Sequence, residues 1–470
     1  MQNKIFETVE FIEDINKINI NQRLIKYSLF MKFIINNASD EKIVEFAKLQ
    51  YQQSKEIPTG ALTAIFSDPS FGFWLYISKC IENRLINNEA IPKSDLPHLL
   101  FLNDNDNFIY YHLLDLNRWI LGASMLSQID FNATMLIRDN NIYIPILGLI
   151  FNNINGKISQ EVKLDFSTNT LKVGDILYND LHKYINLANQ GGINSHLENE
   201  NIYIIPSLLL SGGKVLLDNE DPFITSCWSS LYKNPDGTKY QLTTREVVLT
   251  NYEKFSEACK IIYNVWPEME FNIANTLRNI HIIESPYDDK HVSCTAANFF
   301  GSILVSFGNE YLLAEAIVHE YSHNVLNMVI ANGEMFNGDV PEEEIYYSPW
   351  RNDPRHISGL LHAVFVFNNV CKLFDKIIKD TNNDFVYERQ ASIIVKLIMG
   401  INVLKEFDFQ TNFAKNFILD LEKDIKGFQL NYSKDEIDHY YSIQLKHLEQ
   451  WMSNNHHIKF NDKILVNQSF

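Results

Sequence analysis

From Leu312 to Ile330 the chain is apolar round most of a helical circumference, and such a helix is stable only where other elements enclose it. The stretch therefore belongs at the centre of a folded body. Into it are set His319, Glu320 and His323, three polar groups that need partners in a protein interior. Two histidines four apart project from one helical face about one turn apart, so both imidazoles can reach a single cation at roughly 2.0–2.2 Å. Glu320 lies about 100° round the helix from His319, close enough to bond a metal-bound water or ligand without being a ligand itself. The plain alternative is a satisfied structural cluster. The spacing predicts a metal held by His319 and His323.

A pair of histidines is not a complete site. The metzincin continuation would need Gly and His where this chain has Leu326 and Val329, and no NExxxE helix follows. The next candidate is His362, on a helix that reads as opening at Asp353-Pro354, with an acid at the cap and proline at the first helical position, and running through Lys379. Gly359 lies about one turn earlier and would allow close backbone approach. Glu334 and the run Glu342-Glu343-Glu344 compete as ligands, although the run reads as a solvated loop. Arg351 and Arg355 flank the helix start, where a guanidinium fork and the helix dipole suit bidentate capture of a carboxylate. The ordinary alternative for both is a surface salt bridge.

Composition limits the partners. The chain has 470 residues, is 46% apolar and carries a formal net charge of −18. At roughly 150 residues per domain, two or three domains are expected. The charge argues against nucleic acid and against an anionic membrane surface, and a small acidic ligand would need a local Arg or Lys. The first residues run into Glu10, Glu13 and Asp14 without the apolar core of a secretory signal, so a cytoplasmic setting is expected. Apolar stretches such as Ile142 to Phe151 are too short to span a bilayer and contain Pro145 and Gly148. Five cysteines, odd in number and without a CxxC pair, read as buried or neutral thiols.

The periodicity predicts helices over Phe30–Leu49, Phe71–Leu85 and Phe108–Leu126. Strands follow at 142–146, at 162–166 with a hairpin turn at Thr168-Asn169, and at 202–210. The turn-like Lys233-Asn234-Pro235-Asp236-Gly237 suggests a boundary. Beyond it a helix is expected over Glu253–Val265, then strands at 280–283 and 302–307, and helices past Gly400. The expected fold is α+β. An N-terminal α/β domain (1–235) precedes an HExxH catalytic domain (236–400), zincin-like, with strand 302–307 beside the HExxH helix, and a helical extension (401–470).

Four segments together resemble the HEXXH-domain proteins found with ribosomally synthesised, post-translationally modified peptides. They are 217–223 (Leu-Asp-Asn-Glu-Asp-Pro-Phe), 301–306 (Gly-Ser-Ile-Leu-Val-Ser), 314–323 around the HExxH, and 348–355 (Ser-Pro-Trp-Arg-Asn-Asp-Pro-Arg) followed by Gly359-Leu360-Leu361-His362. The first half of the chain is similar only in texture, including Asp68-Pro69-Ser70-Phe71. The resemblance implies Fe(II), 2-oxoglutarate and dioxygen chemistry that β-hydroxylates a residue of a ribosomally made precursor peptide. Three protein ligands on one side of an octahedral iron leave positions for a bidentate 2-oxo acid and dioxygen. Glu320 would then be a ligand or a group behind the ligands. Two other readings stay open: a zinc metallopeptidase with Glu320 as general base, and a non-catalytic peptide-binding scaffold.

Overall fold

The computed structural model describes residues 8–103, 107–154, 157–193, 201–231, 237, 241–285, 291–333, 335–336, 338 and 340–456. The protein is mixed helix and sheet, with helices from residue 357 to the end of the described chain. It divides into two compact units, each assembled from segments far apart in sequence. One comprises Asn16–Ser256 and Leu277–Phe307, the other Met1–Ile15, Glu257–Thr276 and Gly308–Phe470.

In the first unit, Asp68 and Pro69 start the helix Pro69–Ile86 as an N-cap and N1 pair, the carboxylate accepting from the Phe71 N–H at 3.0 Å. The apolar face of that helix enters a core in which Phe73 stacks on Phe299 at 4.2 Å and Phe299 on Trp228 at 4.8 Å. The 108–126 helix is interrupted at Leu116, giving Phe108–Asp115 and Asn117–Ser127. Helix 30–49 is likewise two helices, Val9–Asn37 and Glu41–Glu56, with Asp40 capping the second. The expected hairpin forms: Ser159–Asp165 pairs antiparallel with Thr170–Val173, and Asn169 takes φ +57° in the turn. Strand 202–210 is two strands, Ile202–Ile204 and Ser207–Leu210, separated at Pro206, whose missing N–H cannot continue a ladder.

Five strands form the central sheet of this unit, in the order Ser293–Thr295, Ser302–Ser306, Asn279–Ile283, Gly213–Leu217, Ser207–Leu210. The middle three are parallel and the outer pairings antiparallel. Asn279–Ile283 and Ser302–Ser306 are buried throughout, as the interior strands of parallel sheets are.

The acidic segment after Leu217 is scaffold. The Asp218 carboxylate accepts from the N–H groups of Glu220 and Asp221 at 2.9 and 3.0 Å, closing the turn. Asn219 donates to the carbonyls of Thr243 and Ile282 and accepts from the Ile282 N–H, tying the turn to the neighbouring strand. Asp221 accepts from both terminal nitrogens of buried Arg118, at 2.7 and 3.0 Å. A buried chain of His98, His112 and Ser78 runs nearby, linked at 3.1 and 2.9 Å.

The second unit is helical apart from one two-stranded ribbon among the described residues, Ile345–Tyr346 with Arg355–His356. Its main helices are Glu310–Ala331, Ile357–Thr381, Asp384–Glu406, Asn412–Gln429 and Lys434–Asn454, with Pro267–Thr276 against the first. Ile357–Thr381 is long and apolar enough to cross a membrane. Its most apolar window is 67% buried in the protein, as a core helix would be.

The expected boundary at 235/236 lies outside the described residues, and the one at 400/401 falls inside the helix Asp384–Glu406. Gly400 marks a close approach, since a Cβ there would meet Val364 at 2.8 Å and Trp350 at 3.1 Å. Strand Ser302–Ser306, expected in the same half as the HExxH helix, is grouped with the other unit. All five cysteines are free; Cys227, Cys259 and Cys371 are buried. Burial pushes the thiol of Cys259 up to about 12.

Candidate metal centre

The HExxH helix runs over Glu310–Ala331. It starts on Asn309, whose side chain accepts from the Leu312 N–H at 2.9 Å. Its neighbour carrying His362 starts at Ile357, later than Asp353-Pro354 suggested. His356 is the cap: its Nδ1 accepts from the Ser358 N–H at 3.3 Å, while Nε2 bonds the Pro341 carbonyl at 3.1 Å. Asp353 is drawn away from the capping position by Arg351, whose Nε donates to it at 2.7 Å, and by Arg355 at 3.6 Å. Arg355 then enters the ribbon that precedes the helix. The Gly359 position is not a forced approach, because a Cβ there would meet only Arg355 Cδ at 3.9 Å.

Helix Glu310–Ala331 packs along helix Ile357–Thr381. A buried polar tie sets their register: Asn369 donates to Ser322 Oγ at 2.9 Å, and that hydroxyl donates to the Val318 carbonyl at 2.7 Å. A buried amide or hydroxyl left without a partner is costly, so this tie disfavours a slip between the helices. One residue on from Ser322, His323 meets His362. Their Nδ1 atoms are 2.9 Å apart and their rings stack at 5.0 Å. His319 packs edge-on against His323, 4.9 Å between centroids, and against Phe367 at 4.8 Å. Trp350 stacks flat on Phe367 at 5.2 Å and 2°.

Burial, then the neighbouring His319 and His362, hold the His323 imidazole well below its ordinary range, and burial alone brings His362 to about 4. Both are neutral at pH 7, the form in which imidazole ligates metal. Glu320 is 2% exposed, its carboxylate 4.0 Å from His319 Nε2, and its backbone carbonyl accepts from Asn324 Nδ2 at 2.9 Å. The structure thus brings His319, His323, His362 and Glu320 together. Among the described residues, no three His, Cys, Asp or Glu side chains stand in a finished metal cage. The close pair is His323 with His362, and His319 adjoins it through ring contacts.

Arg351 and Arg355 are 43% and 38% exposed in their side chains and share Asp353. Burial raises the Asp353 carboxyl, but the bonded Arg351 and the charge of Arg355 outweigh it and hold the group below its usual range. Both pairings are made through Nε, so the terminal nitrogens of the forks are not used in them. Glu342 and Glu343 are exposed, and Glu344 bonds Tyr346 in the ribbon; Glu334 lies outside the described residues. Phe367, Trp350 and Asn369 were not singled out from the sequence. An aromatic at the eleventh position of a core helix carries no signal beyond apolarity, and Trp350 offered only its place in the Ser348–Arg355 run. No family model matches the chain, and no curated protein matches it.

Proposed function

We propose that this protein is a metal-dependent peptide-modifying enzyme, a non-haem Fe(II) and 2-oxoglutarate oxygenase that β-hydroxylates a residue of a ribosomally made precursor peptide. The observation that carries the reading is the 2.9 Å separation of His323 Nδ1 and His362 Nδ1 across two helices. His319, His323 and His362 would hold the ion, in a half of the protein read as zincin-like. Iron held there would supply, with 2-oxoglutarate and dioxygen, the oxidising power for C–H hydroxylation, one oxygen atom going to the peptide and the other to succinate with loss of carbon dioxide. The resemblance to the HEXXH-domain proteins supports this chemistry over proteolysis.

The chain's own residues do the rest. Burial keeps His323 and His362 as neutral donors, and the Asn369–Ser322 tie holds their helices in register. Phe367 packs edge-on against the ring of His319 and is itself backed by Trp350. The terminal nitrogens of Arg351 or Arg355 take the distal carboxylate of 2-oxoglutarate. Buried Glu320 favours a second reading, since a carboxylate 4.0 Å from His319 Nε2 is placed to accept a proton from a zinc-bound water in a peptidase.

One experiment separates the two. Purified protein is loaded with Fe(II) and 2-oxoglutarate without oxygen, then given oxygen and a candidate precursor peptide. A gain of about 16 Da with matching succinate supports hydroxylation by this type of iron site. Peptide cleavage that proceeds with zinc and ignores 2-oxoglutarate establishes the peptidase instead.

A further inference from the structure

A second polar site lies in the other unit, at the amino-terminal ends of two neighbouring parallel strands. A cavity of about 300 Å³ is lined there by Lys214, Arg278 and Asn279 together with Pro145, Ile146 and Leu216. Arg278 immediately precedes the strand Asn279–Ile283, and Lys214 is the second residue of Gly213–Leu217. Strand pairing fixes them: the Leu216 N–H bonds the Arg278 carbonyl at 2.8 Å, and Asn279 stands opposite Leu216.

Three observations point to a ligand. The first is Asn279, which is 1% exposed and has no hydrogen-bond partner at either Oδ1 or Nδ2. A buried amide with both ends unmet is costly and rare, and here it lines an opening able to hold a molecule. The second is charge. In a chain of net −18, the lining carries two cations against the single carboxylate of Asp68. That carboxylate accepts from the Phe71 N–H at 3.0 Å and Trp119 Nε1 at 3.1 Å and offsets part of the Arg278 charge, which leaves the lining cationic. Lys214 donates to the carbonyls of Leu147 and Ala188, which uses two of its three N–H groups. The third is the apolar part of the lining, where Pro145, Ile146 and Leu216 offer surface to a hydrocarbon body.

We propose that this cavity binds a small aliphatic carboxylate, its charged end on Arg278, Lys214 and the Asn279 amide and its body against Pro145, Ile146 and Leu216. At about 300 Å³ the space is at the lower end of small-molecule sites. It suits a free short-chain acid or the end of a polypeptide, both presenting the same group. The apolar wall disfavours inorganic phosphate, which has no hydrocarbon part to bury. The inference is independent of the metal centre and stands on this unit alone.

The test is calorimetric titration of the full-length protein with butyrate, butyramide, inorganic phosphate, and a short peptide ending Ala-Val as free acid and as amide. Butyrate or the free-acid peptide binds at least tenfold more tightly than its uncharged counterpart and than phosphate. Whichever of the two binds more tightly identifies the source of the carboxylate. Arg278→Gln and Lys214→Met each lose tenfold or more in affinity. Asn279→Leu, isosteric and without the unmet amide, keeps or raises the melting temperature while losing the ligand, so a folding defect in the charge variants does not spoil the result. The proposal is overturned if no acid binds, if butyramide or phosphate binds as well as butyrate, or if Asn279→Leu and Lys214→Met bind the acid with unchanged affinity.

Discussion

Asp221→Asn tests whether the acidic segment after Leu217 is scaffold. Arg118 and Asp221 are 5% and 1% exposed in their side chains and meet as a bidentate pair; Asp115 lies 3.9 Å from Arg118 Nε and bonds Arg138 at 2.8 Å. Two buried guanidinium groups are thus balanced by two buried carboxylates. Asparagine at 221 keeps the size of the side chain and one acceptor but leaves a net positive charge in the core. Breaking a buried pair from one side costs about 3–5 kcal/mol. For a unit of about 270 residues, an unfolding entropy of about 2.1 cal/mol/K per residue gives roughly 0.6 kcal/mol/K. The melting temperature should therefore fall by about 5–9 °C. Scanning calorimetry of wild type and variant reads this, with circular dichroism confirming the fold at 25 °C. The double variant Arg118→Met, Asp221→Leu, which removes both charges, recovers most of the loss. Bound metal per folded chain stays unchanged, as a scaffold role requires. A drop below 2 °C, or a double variant as unstable as the two single losses added together, would refute the reasoning.

The metal centre and the buried histidines give four further outcomes. His319→Ala or His323→Ala lowers bound iron or zinc well below one per chain while the fold persists, and full metal content in both variants by elemental analysis would remove the site. His362→Ala weakens metal binding much more than His356→Ala, which removes a helix cap at about 1 kcal/mol of stability; equal affinities in a metal titration exclude His362 as a ligand. Replacing Arg351 or Arg355, whichever takes the cosubstrate, by Ala weakens 2-oxoglutarate binding about ten- to a hundredfold without releasing metal, and Lys rescues only partly; unchanged affinity in both Ala variants ends that assignment. Burial, with Arg138 and Arg118, lowers His98; burial and His98 lower His112; and burial brings His281 to about 4. The unfolded chain takes up protons as pH falls below about 6.5 while these folded sites do not. Stability is therefore fully present above that pH and is lost toward pH 4, at up to about 1.4 kcal/mol per pH unit per group. A melting temperature flat from pH 7 to pH 4.5 would contradict this.

The features readable along the chain were those set by residues within a turn or two of one another. The i, i+4 pair His319 and His323, the enclosed helix that bears it, the Asp68-Pro69 helix start and the Asn169 hairpin all depend on local periodicity, capping or a left-handed φ. The same local logic misplaced the start of the His362 helix, because Asp353 had an equally good use as a partner for two arginines and His356 could cap in its place. Nor does local pattern reveal that Gly400, inside the helix Asp384–Glu406, admits Val364 and Trp350. The meeting of His323 with His362, 39 residues apart, needed the packing of two helices and a buried Asn–Ser tie. The cavity between Lys214, Arg278 and Asn279 needed two parallel strands brought side by side. Sequence by itself determined which residues could act at one helical face, since the backbone period is the same in any context. Which residues meet across elements was decided by the tertiary structure alone, since burial and packing act between segments whose separation no local period encodes.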